Sequence, residues 1–208
     1  MIIGINGYAG SGKDTVGAMI QMLYCDSLGT TTVEEVINDY KNNEWWLEEK
    51  SGWEIKKWAG KLKTIASLLT GIPVEKFEDQ EFKKTNLGPE WGMTVRDFLQ
   101  KLGTDGLRDG LHVNTWVNAL MADYVPVAFE QPSNWIITDT RFPNEAQAIK
   151  DHGGIVIRVD RPGVSAINAH PSETGLDHWD FDHKIMNGSD LVSLMFSVNT
   201  ILKKQHLL

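Results

Sequence analysis

The sequence has a single cysteine, Cys25, so no internal disulfide can form. Cys25 reads as a packing residue of the first helix, with nothing beside it to suggest a metal or a nucleophile. No apolar run approaches the ~18 residues of a membrane span, and the opening MIIGING has no charged stretch of the kind that starts a secretory signal. A cytoplasmic protein without a membrane partner is therefore expected. Basic residues are also in deficit: 20 Lys and Arg against 28 Asp and Glu give a formal charge of −8. Gripping a nucleic-acid polymer takes a basic face that displaces counterions, so no such polymer is expected as partner. Repeats, low-complexity tracts and clear linkers are missing as well. A hydrophobic share of 41% in 208 residues is enough for one core, and residues 1–208 are read as one domain.

What the chain does contain is strands alternating with helices. MIIGIN is a short apolar run ending at glycine, the pattern of a central parallel strand buried on both faces. TVGAMIQMLY follows with helical spacing through Val16, Met19, Ile20 and Leu23. NWIITD, from Asn134 to Asp139, is a second buried strand, and Pro143 opens the helix after it, which Gly153 and Gly154 stop. GIVIRVDRPG alternates apolar residues at Ile155, Ile157 and Val159; DHKIMNGSD reads as strand and turn, and LVSLMFSVNTIL as an amphipathic closing helix. The expected fold is α/β, a doubly wound and mainly parallel sheet expected to hold five strands, of which these runs account for four. A helical insertion covers about 60–125, and a loop bounded by glycine and proline, about 160–176, is read as a lid. Thr30 to Trp53, with several charges, is read as a surface insertion packed on the domain.

GYAGSGKDT, between the first strand and first helix, nearly fits the phosphate loop G-x-x-x-x-G-K-[ST]. Glycines at 7, 10 and 12 let successive N–H groups turn inward, and the helix brings its positive end to the same spot. Lys13 adds a mobile charge for β- and γ-phosphates. The loop lacks a hydroxyl after the lysine: Asp14 stands there and Thr15 follows. A carboxylate so placed would reach Mg²⁺ through water rather than directly, since that ion keeps several waters. Thr15 is then the hydroxyl nearer the metal or phosphate, and Asp14 faces the acceptor or serves as a first-turn carboxylate favoured by the helix dipole. Asp139 ends its strand where a carboxylate steadies a Mg²⁺ shell, making Thr15 and Asp139 the expected metal ligands. No glutamate follows Asp139 to polarise water; Thr140 and Arg141 do, which favours transfer to a bound acceptor over hydrolysis. The guanine motif N-K-x-D is also absent.

In TVRDFLQKLGTDGLRD, Val95, Phe98, Leu99 and Leu102 form a helical apolar stripe. Arg96, Gln100 and Thr104 form a parallel row with Gly103 beside it, either a pocket wall or a solvated face. Trp116 either stacks on a base or belongs to the core. Of the two lysines in WAGKLK, one reaches a phosphate and the other is solvated.

Taken in order, GYAGSGKDT, WAGKLK, R-x-x-x-Q-x-x-G-T-D-x-x-R from Arg96 to Arg108, NTWVNAL, ITDTRFPNEAQAI and HPSE resemble the phage deoxynucleoside monophosphate kinases. The resemblance implies the P-loop kinase fold, with a helical acceptor-binding region and a lid. It implies ATP and Mg²⁺ as cofactors and a deoxynucleoside monophosphate as acceptor, and it leaves a homodimer open. By that similarity Gly7, Ala9, Gly10, Ser11, Gly12, Lys13, Asp14 and Thr15 hold the donor nucleotide, with Asn187 near its adenine. Arg96, Gln100, Gly103, Thr104, Arg108 and Trp116 bind the acceptor. The expected catalytic set is Lys13, Asp14, Arg96, Asp139, Arg141 and Arg161. HPSE, His170 to Glu173, is too sparse in ligands for a metal site and reads as a hinge or local cap.

Overall fold

The apolar runs form the middle of a parallel sheet. The computed structural model describes residues 1–25, 44–124, 133–167 and 170–208. Strands β1 (Ile2–Asn6), β2 (Trp53–Lys56), β3 (Asn134–Ile137), β4 (Ile155–Asp160) and β5 (His183–Met186) lie in the order β2-β3-β1-β4-β5, and every pairing is parallel. The described helices are α1 (Lys13–Cys25), α2 (Glu44–Ser51), α3 (Gly60–Thr70), α4 (Val95–Gln100), α5 (Thr115–Met121), α6 (Pro143–Asp151), α7 (Pro171–Thr174) and α8 (Leu191–Lys204). The chain divides into two compact units, Met1–Lys56 with Pro126–Leu208, and Lys57–Val125. Among the described residues no helix is long and apolar enough to cross a membrane.

In the first unit, Ile55, Ile136, Ile3 and Ile155 stand in register across four strands. They share one core with Val16, Met19 and Ile20 of α1, Leu47 of α2 and Leu194, Val198 and Leu202 of α8. The other face is covered by α6. Gly4 points away from Ile3 and Ile5, and a Cβ there would lie 2.4 Å from Ile149 Cδ1. With helices on both faces, the central strands are buried throughout, which is why they read as continuous apolar runs. The alternation expected for β4 is not what the strand shows: Val156 and Arg158 are as buried as Ile155 and Ile157. Helix α1 is likewise buried from Val16 to Met22, wider than a single stripe, because sheet, α2 and α8 surround it.

The segment from Thr30 to Trp53 requires a correction where it is described. Residues 26–43 lie outside the described residues, whereas 44–51 form α2 and Trp53, 2% exposed, begins an edge strand of the sheet. WEIK is too short and too charged to register as a strand by periodicity, yet its main chain pairs with β3.

The second unit is built on Ala66 of α3, Phe77, and Val95 and Phe98 of α4, with Leu99 and Leu102 packed alongside as the apolar stripe requires. Trp91 meets Phe98 edge to face at 4.8 Å. Thr94 caps α4: its hydroxyl accepts from Asp97 N at 3.1 Å and donates to Asp97 Oδ2 at 2.7 Å. The α-helix whose apolar stripe reads through Leu102 stops short of it. After Gln100 it widens into a π-helical stretch, Lys101–Asp109.

Candidate functional site

Strand β1 is buried along its whole length and releases the chain into a loop whose glycines are conformationally necessary. Gly10 and Gly12 have φ of 82° and 100°. A Cβ at Gly7 would lie 2.4 Å from the Val159 carbonyl oxygen and 2.5 Å from Ser11 Oγ; one at Gly12 would lie 2.5 Å from Asn187 Nδ2. The loop therefore runs close to its surroundings, with main chain exposed where side chains would stand. Ser11 is 1% exposed, and its Oγ has no hydrogen-bond partner among the described residues. Ala9 lies between Tyr8 and Gly10 and is half-buried.

The carboxyl ends of parallel strands meet beside this loop. Lys13, first residue of α1, donates from Nζ to the Tyr8 carbonyl at 2.8 Å. Burial, followed by the Arg141 charge, lowers its pKa to about 8; Asp14, Glu173 and Asp139 act in the opposite direction. These five charges thus form one cluster, and a phosphate entering it would restore Lys13 toward its usual value. Asp14 accepts from Thr138 Oγ1 at 2.7 Å, which ties the unusual loop carboxylate to the end of β3. Thr15 is half-buried one residue on, and Asp139 is buried at the strand end. Asn6 Nδ2 donates to the Thr140 carbonyl at 2.7 Å and joins β1 to the same turn.

Arg141 is set from two sides. Glu145, at the start of α6, accepts from the N–H groups of Arg141 at 2.7 Å and Phe142 at 3.1 Å, an N-terminal cap. The Arg141 guanidinium donates to Glu173 Oε1 and to the Ser172 carbonyl, both at 3.1 Å. Arg161 donates to the Gly10 carbonyl at 3.3 Å, so it meets the loop directly. Asn187, just after β5, donates from Nδ2 to the Ser11 carbonyl at 2.8 Å. Below them Arg158 is bonded to Asn6 at 2.6 Å and to Asp160 at 2.7 Å, and it lies 4.5 Å from the centroid of the Tyr8 ring. Tyr8 OH donates to Asp177 Oδ1 at 2.8 Å.

The acceptor candidates all lie in the second unit. Arg96 and Gln100 are half-buried on α4, and Arg96 donates to Gln80 Oε1 at 3.2 Å. Gly103, Thr104 and Arg108 are buried on the π-helical stretch. Trp116, 6% exposed, donates its indole N–H to the Gly103 carbonyl at 2.8 Å. Little of its ring is open to a base in this arrangement. A Cβ at Gly103 would lie 2.7 Å from Leu62 Cδ2, so the glycine admits α3 as well. In WAGKLK, Lys61 bonds to the Ala119 carbonyl and to Asp123 at 3.0 Å, while the buried Lys63 pairs with Glu78.

Sequence reasoning missed Thr138, Glu145 and the Arg158–Tyr8–Asp177 group, and it read Glu173 as part of a hinge or local cap rather than as the partner of Arg141. Glu145 alone carried a local signal, a glutamate two places after the Pro that opens a helix.

Relatives describe the same enzyme class. The deoxynucleotide monophosphate kinase family profile matches residues 59–198. A mimivirus protein (Acanthamoeba polyphaga mimivirus), named provisionally as a deoxynucleotide monophosphate kinase, is 36% identical over 63% of this chain and 72% of its own length. The deoxynucleotide monophosphate kinase of Enterobacteria phage T4 is 32% identical over 57% of this chain; the match spans about half of that relative, 48%. The deoxynucleoside-5'-monophosphate kinase of Escherichia phage T5 is 26% identical over 91% of this chain and 90% of its own length. With the family profile covering well over half of its residues, and a five-stranded parallel sheet carrying a phosphate loop at its centre, this chain belongs to the deoxynucleotide monophosphate kinase family.

Proposed function

We propose that this protein transfers the γ-phosphoryl group of ATP to a deoxynucleoside monophosphate, yielding the diphosphate by in-line displacement. The observation that carries this reading is the close-packed glycine loop, where Lys13 bonds to the Tyr8 carbonyl and Asp14 to Thr138, the residue before Asp139. The loop suits a polyphosphate: close-packed glycines and the buried Ser11 hydroxyl surround it. Asp139, Asp14 and the Thr15 hydroxyl are hard oxygen donors suited to Mg²⁺, Asp14 through water. Bound there, the ion would neutralise charge on the β- and γ-phosphates.

The acceptor phosphate oxygen is already anionic, so the reaction needs little general-base help, and the protein's part is positioning and charge neutralisation. Lys13 follows the transferring group; Arg141 and Arg161 stabilise charge spread over its oxygens. Arg96 and Arg108 bind the acceptor phosphate, while Gln100, Gly103 and Thr104 shape the place of the sugar and base. Trp116 then acts by fixing Gly103. Asn187 lies close enough to the loop for its segment to meet the adenine. These substrates are small molecules, and the acidic overall charge supports a role apart from nucleic-acid polymers.

A panel of the four deoxynucleoside monophosphates with ATP and Mg²⁺ tests the assignment by ADP release and product identification. Transfer to one or more of them is expected. Transfer only to nucleosides or other phosphorylated metabolites would replace the acceptor, and ATP binding without transfer would make the protein a nucleotide-dependent regulator.

A further inference from the structure

We propose that the HPSE turn is a positioning device for Arg141: the Glu173 carboxylate and the Ser172 carbonyl hold one end of the guanidinium so that its other edge is presented to a phosphate. The proposal rests on the assignment of Arg141 to phosphoryl transfer, and it gives a task to a motif that the catalytic scheme leaves unused.

Three observations lead to it. First, Glu173 is the more buried partner, with its side chain 4% exposed against 40% for Arg141. A buried carboxylate requires a cation and hydrogen bonds, and both come from Arg141 Nη1 at 3.1 Å. Secondly, among the described residues Arg141 makes its hydrogen bonds through its main-chain N–H and Nη1. Nη2 and Nε thus remain on the planar fork, the edge suited to two phosphate oxygens. Thirdly, the turn itself is fixed. His170 Nδ1 accepts from Ser172 N at 3.2 Å, Pro171 presets the first helical φ, and Glu173 N donates to the His170 carbonyl at 2.8 Å. Gly175 lies against the main chain of Arg141: a Cβ there would be 2.8 Å from the Arg141 carbonyl oxygen. The turn therefore holds both the backbone and the guanidinium. Arg141 directly follows Thr140, whose carbonyl accepts from Asn6 Nδ2 at 2.7 Å, so it adjoins the end of β1 from which the phosphate loop starts.

The test uses the full chain as wild type, Arg141→Ala, Glu173→Gln, Glu173→Asp and the Arg141→Ala/Glu173→Gln double variant. Glu173→Gln is expected to lower kcat by about 10- to 100-fold, the range for a displaced charge-stabilising group, with the ATP KM within about twofold. Glu173→Asp restores part of the loss. In the Arg141→Ala background Glu173→Gln costs nothing further, since both changes act on one group. A readout independent of turnover is the Arg141 guanidinium ¹⁵N signal, identified by its loss in Arg141→Ala; it should broaden or shift in Glu173→Gln. Should Glu173→Gln fail to fold, the Glu173→Asp kinetics and spectrum decide alone. Normal kcat in the foldable Glu173 variants beside an impaired Arg141→Ala, or losses that multiply in the double variant, would overturn the inference while leaving the role of Arg141 intact. Normal turnover by Arg141→Ala would instead remove Arg141 from the chemistry, and the inference with it.

Discussion

Asn187 holds the phosphate loop from outside with one amide. Its Nδ2 donates to the Ser11 carbonyl at 2.8 Å, and its own N–H donates to the Asp160 carbonyl at 2.7 Å, so the segment after β5 and the loop after β1 are joined. Removing one hydrogen bond of this kind costs about 1 kcal/mol. Asn187→Ala should therefore raise the ATP KM about fivefold, and Asn187→Asp more, because a carboxylate facing a carbonyl oxygen repels it. Steady-state kinetics at varied ATP check this; equal KM in all three proteins would leave the strut without function. The phosphate loop itself was legible because its residues are contiguous and glycine geometry repeats from protein to protein. Its outer supports were not. The partners of Asp14 and Ser11 lie 124 and 176 positions away, and no local spacing links them.

Among the elements, the Lys101–Asp109 stretch departs most from its sequence pattern. Arg96 and Gln100 share a face of α4, and the chain reaches Thr104 through a wider, π-helical turn than the i, i+4, i+8 spacing assumes. The wider turn is held by α5: Trp116 draws on the Gly103 carbonyl, and Thr115 Oγ1 lies 2.8 Å from the Leu107 carbonyl. These side-chain bonds add donors to carbonyls of the π stretch, Leu107 also accepting from His112 N at 3.2 Å, and no propensity scale contains that information. Trp116→Phe keeps the ring volume in part and removes the buried hydrogen bond to the Gly103 carbonyl. A loss of about 1–3 kcal/mol in urea unfolding is expected, together with a higher acceptor KM; unchanged values of both would mean that the π turn stands without Trp116. Arg96→Ala, if Arg96 binds the acceptor phosphate as proposed, should raise the acceptor KM about 10- to 100-fold and leave the ATP KM within about twofold. An effect confined to ATP would place Arg96 on the donor side.

At the scale of the molecule, the centre of the sheet and its β5 edge were legible and the β2 edge was not. Strands β1 and β3 are apolar because both their faces are covered, a property composition reports directly. Strand β2 at the edge is only four residues long, and its pairing with β3 is a main-chain property. Behind β2, Tyr24 at the end of α1 lies 5.1 Å from the Trp53 ring, and burial pushes its pKa up to about 12. The folded phenol thus stays neutral where the unfolded one ionises. Its contribution to stability is full below about pH 10 and is lost as pH rises from there toward 12. Tyr24→Phe should accordingly lose less urea stability than wild type between pH 8 and pH 11. Parallel losses in the two proteins would show that Tyr24 titrates as a solvated tyrosine.

The account depends on Lys13 and the glycine loop holding a phosphoryl group as it moves between nucleotides, and labelled transfer measures this most directly. ATP carrying a γ-phosphate label is mixed with Mg²⁺, deoxynucleoside monophosphates and either wild type or Lys13→Ala, and the products are separated. The wild type should place the label in a deoxynucleoside diphosphate. Lys13→Ala should transfer at least about 10³-fold more slowly, as expected for loss of a charge that stabilises the transferring group, with an unchanged circular dichroism spectrum. Label released to water, or transfer by Lys13→Ala at the wild-type rate, would contradict the account.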